Sequence, residues 1–192
     1  LAYRAIKRAS PETLKAPEPL KADGLSAFMR SGAMPLLWVT GLCGAYLNVV
    51  TFRMAQYISV DFGSPALGAL SLSALWAGIV VSRIAAPRVK LKLRAYLIGG
   101  MAGAAVFTAL GIAAGSAYTV IAGAFLSGVA CGAVIPMCIS ELCLYTPGNT
   151  LLASGSALLA LYVVQLIGAL VAGALTPDGS LGVGLYAAAA YS

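Results

Sequence analysis

Histidine is absent from this 192-residue chain. Its absence excludes a Ser–His or Cys–His nucleophile pair, zinc or haem held by imidazole, and a histidine proton relay. Charge is scarce as well: 9% of the residues are Asp, Glu, Lys or Arg, where a soluble domain carries about a quarter. The six carboxylates include none placed deep within a long apolar run. The four cysteines, Cys43, Cys131, Cys138 and Cys143, form no CxxC spacing and lie in or beside apolar runs. They read as small apolar packing residues. There is no phosphate-binding loop, and Asp61-Phe62-Gly63 spells a kinase metal motif without any of its context. A membrane enzyme without histidine would need a Ser–Lys pair or paired Asp at depth, and neither is placed there. No enzyme activity, no metal and no cofactor are expected.

What the chain does have is apolar length. Hydrophobic residues make up 60% of it, and mean hydropathy is +0.93. Crossing the hydrocarbon of a bilayer takes roughly 20 apolar residues in a helix. Such runs stand at about 34–57, 66–86, 95–115, 118–139 and 151–175, and a sixth occupies 181–192. The sixth has a helical rise of only about 18 Å, too short to span. No signal-peptide pattern opens the chain, which begins at Leu1. The expectation is a piece of a longer membrane protein: an all-α bundle at 34–192 preceded by a polar, basic, proline-punctuated linker at 1–33.

The cations are sorted. Arg4, Lys7, Arg8, Lys15, Lys21 and Arg30 stand in the first segment, and Arg83, Arg88, Lys90, Lys92 and Arg94 stand in or beside the second gap. Two spans separate these stretches, so they share a membrane face. The gaps expected on the opposite face carry only Asp61 and Asp178. Lys and Arg accumulate on the cytoplasmic side of membrane proteins, which makes the first segment cytoplasmic and sends the first span outward. The net charge of +6 is thereby assigned to lipid headgroups and topology rather than to nucleic acid. The gap at 141–150 should also be inside, yet it holds no Lys or Arg. Arg53 is the one cation that this sorting does not place.

From Asp61 to Gly100 the sequence reads DFGSPALGALSLSALWAGIVVSRIAAPRVKLKLRAYLIGG. A polar turn, a helix with Trp76, Gly78 and Arg83, a basic loop and a glycine-rich helix resemble the helix 8 to helix 9 region of the major facilitator superfamily. The family's loop motif places an Asp before its basic residues; here Gly78, Arg83 and the basic character are kept and that Asp is missing. GVACGAVIPMCISEL, with Gly128, Gly132 and Pro136 spaced by four, is similar to helix 10 of the fucose/glucose permease-like branch. TPGNTLLASGSALLALYVVQLIGALVAGAL looks like the following loop and helix 11. The resemblance implies the C-terminal half of a major facilitator fold, helices 7 to 12 with the last truncated. It implies a secondary transporter moving a small solute by alternating access in a bacterial cytoplasmic membrane. Its partners would be the solute, a coupling ion where one is used, the bilayer, and an N-terminal six-helix half missing from this chain. A non-transporting polytopic scaffold or assembly protein is the other reading.

Several polar residues interrupt the apolar runs. Arg53 either snorkels to the outer interface or faces a cavity and meets an anionic group; a charge at the bilayer centre costs about 3 kcal/mol on insertion scales. Tyr46, Val50, Arg53 and Tyr57 share a helix face, on which two phenols around a cation could line a polar cavity. Asn48 and Gln56 lie off that face and can bond a neighbouring helix or a solute hydroxyl. Tyr162 and Gln165 are the corresponding candidates on the fifth run. The resemblance puts helices 7, 8, 10 and 11 around the cavity, which makes Asn48, Arg53, Gln56, Tyr162 and Gln165 substrate-contact candidates. Gly78, Arg83, Gly128, Gly132 and Pro136 are candidates for gating or packing. The pairs Gly99/Gly103, Gly111/Gly115 and Gly128/Gly132 have the spacing that lets helices approach in lipid, whether for tight packing or for rocking. Pro136 is expected to kink its helix, Ser71 and Ser82 to bond their own backbone carbonyls, and Glu141 to sit at the cytoplasmic edge.

Overall fold

A computed structural model of the chain describes residues 33–88, 92–145 and 150–174. The linker before Ala33, residues 89–91 of the basic gap, residues 146–149 and the sixth run lie outside the described residues. Every regular element among those described is helical. Helix α1 spans Met34–Asp61, α2 Pro65–Ala85 with a short 3₁₀ turn at Ala86–Arg88, α3 Leu93–Ala113, α4 Ala117–Cys131, α5 Val134–Leu144 and α6 Thr150–Ala174. Taking α4 and α5 as one span, five helical segments are long and apolar enough to cross a membrane. The 28 residues of α1 rise about 42 Å and the 21 of α2 about 32 Å, against a hydrocarbon core of about 30 Å.

Local chemistry sets the helix ends. Between α1 and α2, Gly63 takes φ +63, and Pro65 opens α2 at a position where its missing N–H is no loss. Ser64 accepts the Leu67 amide at 3.5 Å. Pro87 and the 3₁₀ turn close α2. Gly115, at φ +65, makes the abrupt turn from α3 into α4. The Thr119 hydroxyl bridges that turn, 3.1 Å from the Gly111 carbonyl and 2.7 Å from that of Ser116.

The contacts fix the relative directions of the helices. Gly68 of α2 lies against Ala55 and Ser59 of α1, and Gly111 of α3 lies against Thr119 and Gly123 of α4, so both neighbouring pairs are antiparallel. Contacts rise together along α2 and α4, from Leu75 against Gly128 to Ser82 against Gly132. They also rise together along α1 and α6, from Gly41 against Val164 to Ala45 against Gly168. The bundle therefore alternates direction at each span. Of the spans, α1 buries the largest share of its length and α6 the smallest.

Three expectations need correction. Glu141 stands inside α5, not in a loop from 141 onward, because the fully buried Leu142 extends the helix to Leu144. Gly115 ends a helix and so cannot pair with Gly111 along a helix face; Gly111 meets Gly123 instead. Gly99 has open space around its Cβ position, so the Gly99/Gly103 pair makes no tight crossing. Gly100, which the spacing rule passed over, lies 2.8 Å from the Ala130 carbonyl by its Cβ position.

Candidate functional site

Two constructions stand out within the bundle. The first is centred on Tyr46 of α1, whose side chain is fully buried. Its hydroxyl donates to the Ala104 carbonyl at 3.0 Å. It also hydrogen-bonds the Thr108 hydroxyl at 2.6 Å and the Ser127 hydroxyl. A phenol has one proton and two lone pairs, so with Ala104 receiving the proton, Thr108 and Ser127 must donate. Three helices, α1, α3 and α4, are joined at one atom with its bonding capacity filled. This overturns the expectation that Tyr46, Val50, Arg53 and Tyr57 line a polar cavity together. Tyr46 and Val50 point into the protein interior. The three hydroxyls have no charge and no periodic spacing, so only the fold brings them together.

The second construction is the break between α4 and α5. Pro136 was expected to kink a continuous helix. The helix is instead divided at Gly132–Ala133, and Pro136 occupies the first turn of α5. The offset has a simple cause. A proline ring clashes with the carbonyl four residues earlier and offers it no N–H, and here that carbonyl belongs to Gly132. First-turn amides have no intrahelical partner, so proline costs little in its new place. The Gly132 carbonyl then needs another donor, and the Arg83 Nε–H from α2 reaches it at 3.2 Å. Gly132 and Ala133 keep right-handed helical dihedrals, so the break is an interruption of the hydrogen-bond ladder; in a membrane this is tolerated where protein buries it, and both residues are buried.

Glycines make that reach possible. A Cβ on Gly78 would overlap the Phe125 carbonyl, and one on Gly128 would overlap the Leu75 carbonyl. One on Gly132 would stand 2.7 Å from the Ile79 Cα and 2.8 Å from the Ser82 Cβ. Thus Gly78, Gly128 and Gly132, three of the five gating or packing candidates, meet where α2 crosses α4, and the other two, Arg83 and Pro136, line one cleft beside that crossing. Ser82 departs from expectation. Its hydroxyl pairs with that of Tyr96 on α3 at 3.2 Å, whereas Ser71 bonds the Gly68 carbonyl at 2.7 Å as expected.

The substrate-contact candidates do not converge in the same way. Asn48 and Arg53 are half-buried on α1, and Gln56 is exposed. On α6, Gln165 is half-buried and Tyr162 exposed. Asn48 and Gln56 are about 12 Å apart along the helix. A cavity of about 400 Å³ does open between α1 and α6, but Leu37, Trp38, Leu159, Ala160 and Val163 line it among others, and none of the five candidates does. The cysteines are free: Cys43, Cys131 and Cys138 are buried and Cys143 half-buried. No group of His, Cys, Asp or Glu suited to a metal occurs among the described residues.

No protein-family model matches the chain, and neither a curated protein nor a solved structure matches it.

Proposed function

We propose that this chain is the C-terminal bundle of a secondary transporter of the major facilitator kind, moving a small solute unaltered across a bacterial cytoplasmic membrane. The observation that carries the reading is the broken α4–α5 span. Its interrupted turn, where the Gly132 carbonyl lacks a helical donor, is buried at a glycine-lined crossing and capped by Arg83. Discontinuous membrane helices are a recurring device of secondary transporters, in which one bundle rocks against another around a central site. The basic residues orient the linker to the cytoplasm. Arg53 is the candidate for an anionic solute group, with Asn48, Gln56, Tyr162 and Gln165 as neutral contacts. The second reading, a non-transporting assembly protein, is favoured by the broad apolar face of α6, where Leu159, Leu166 and Leu170 are exposed. In the transporter reading that face awaits lipid or the other half.

Vesicle flux decides between them. The full-length protein is tested with a panel of labelled sugars, organic anions and organic cations, beside its Arg53→Ala variant. The expected result is one transported class whose flux falls at least tenfold in Arg53→Ala, with membrane insertion unchanged. Flux that is unchanged in Arg53→Ala removes Arg53 from the site. No flux of any class, from a coding sequence holding no further six-span bundle, overturns the transporter reading.

A further inference from the structure

A cleft of about 500 Å³ opens between the last turn of α2 and the outer side of α5, and the transport reading does not use it. Pro87, Pro136, Met137 and Ile139 form much of its wall, and Arg83 and Ser140 supply its side-chain polar groups. Arg83 is held in place there, because its Nε–H is committed to the Gly132 carbonyl. That leaves the two terminal guanidinium nitrogens, and neither carboxylate among the described residues, Asp61 or Glu141, lines the cleft. The Ser140 hydroxyl donates to the Pro136 carbonyl at 2.8 Å, so Arg83 is the cleft's side-chain donor for an anion. The cleft lies at the end of α2 that carries further positive charge. Arg88 folds back onto the Ile84 carbonyl at 2.9 Å, and Lys92 and Arg94 are exposed at the start of α3.

We infer that this cleft binds one anionic phospholipid of the inner leaflet, with the phosphate on Arg83 and the glycerol–acyl region against Pro136, Met137 and Ile139. A guanidinium presenting two donors to one phosphate is the strong, directional form of this contact. Basic pockets between membrane helices on the cytoplasmic side recognise anionic headgroups. The apolar wall favours a lipid over a free anion, because inorganic phosphate has nothing to place on Met137 and Ile139. The inference rests on the membrane orientation read from the basic residues, and it does not require the protein to transport.

The test is binding of phosphatidylglycerol to the full-length detergent-purified protein, by lipid titration with native mass spectrometry and thermal shift. Phosphatidylcholine and inorganic phosphate are the comparison ligands. One phosphatidylglycerol is expected to bind and raise the melting temperature, while phosphatidylcholine and phosphate do neither. Removing a basic residue that merely lies near the headgroups weakens anionic lipid binding about fivefold. Arg83→Gln is expected to exceed that effect and Lys92→Gln to stay within it. Ile139→Trp keeps the charge and fills the cleft, so it should also abolish the one-lipid step; this variant tests the site even where Arg83→Gln is poorly folded. Equal loss in Arg83→Gln and Lys92→Gln, an unaffected Ile139→Trp, or equal stabilisation by phosphate or phosphatidylcholine would each overturn the site.

Discussion

Two contacts in this bundle join parallel helices, and they are built differently. Where α2 crosses α4, backbone meets backbone: Gly78 faces the Phe125 carbonyl and Gly128 that of Leu75. Where α1 meets α6 the contact is mixed: Gly44 faces the Leu161 isobutyl group, whereas Gly41 faces the Val164 Cβ and a methyl with the Ala160 carbonyl 3.0 Å away. A backbone carbonyl inside a helix cannot swing aside, whereas a side chain can change rotamer. The first contact therefore fixes a distance, and the second can give where Gly44 meets Leu161. In the transporter reading, α2 and α4 behave as one body and the α1–α6 contact gives. Van der Waals packing at small residues is a principal force between helices in lipid, so the difference also ranks the contacts in stability.

The largest effect should come from breaking the rigid contact. Gly128→Ala puts a methyl onto the Leu75 carbonyl and 3.1 Å from the Ile79 nitrogen, so α2 and α4 must separate. Overpacking of this kind costs about 3 kcal/mol. The expected outcome is a large fall in melting temperature and loss of the monodisperse peak in detergent. Gly44→Ala, 2.9 Å from the Leu161 Cγ and 3.0 Å from its Cδ1, should cost about 1 kcal/mol, because the leucine can change rotamer and alanine regains helix propensity. Gly99→Ala, with nothing within 4 Å, should cost nothing. Equal losses at positions 128 and 44 would erase the distinction between the two contacts.

The next effect separates buried from exposed phenols. Tyr46→Phe removes the atom that joins α1, α3 and α4 and leaves the Thr108 and Ser127 hydroxyls short of a partner. A lost buried partner of this kind costs about 1–3 kcal/mol. Tyr162, 64% exposed on α6, should lose no stability as Phe. Thermal unfolding measures both. If Tyr162→Phe leaves stability unchanged but reduces flux of a found substrate, that result would place it in the transport path.

The five long apolar helices among the described residues could be read along the chain because they depend on run length. The second crossing was partly legible too. The spacing of Gly128, Gly132 and Pro136 is local, and Gly78 and Arg83 stood out by their motif. The Tyr46 junction was not legible, since its partners lie 58, 62 and 81 residues away and a hydroxyl on a helix face carries no sign of where it points. Helical periodicity placed Tyr46 and Arg53 on one face, but Tyr46 and Val50 are fully buried while Arg53 and Tyr57 are half-buried, so a shared face does not mean a shared cavity. Glycine spacing failed at Gly115 for another reason: four-residue spacing says nothing about whether the helix continues, and there it stops.

The smallest effect is also the most specific. If Pro136 leaves the Gly132 carbonyl without its helical donor and Arg83 supplies the substitute, the two residues must be coupled. Arg83→Gln should destabilise the protein with Pro136 present. In Pro136→Ala, the residue 136 amide can bond the Gly132 carbonyl directly and α4 can run on into α5, so the same Arg83→Gln change should then cost less. The coupling expected is about 1 kcal/mol, the usual net worth of one intramolecular hydrogen bond. Four melting curves, for the parent, each single variant and the double variant, measure it. A coupling of zero would mean that Arg83 rests on the break without holding it. A positive value would join α2, α4 and α5 into one unit, and would mark the buried Gly132–Ala133 turn as the place where that unit can bend.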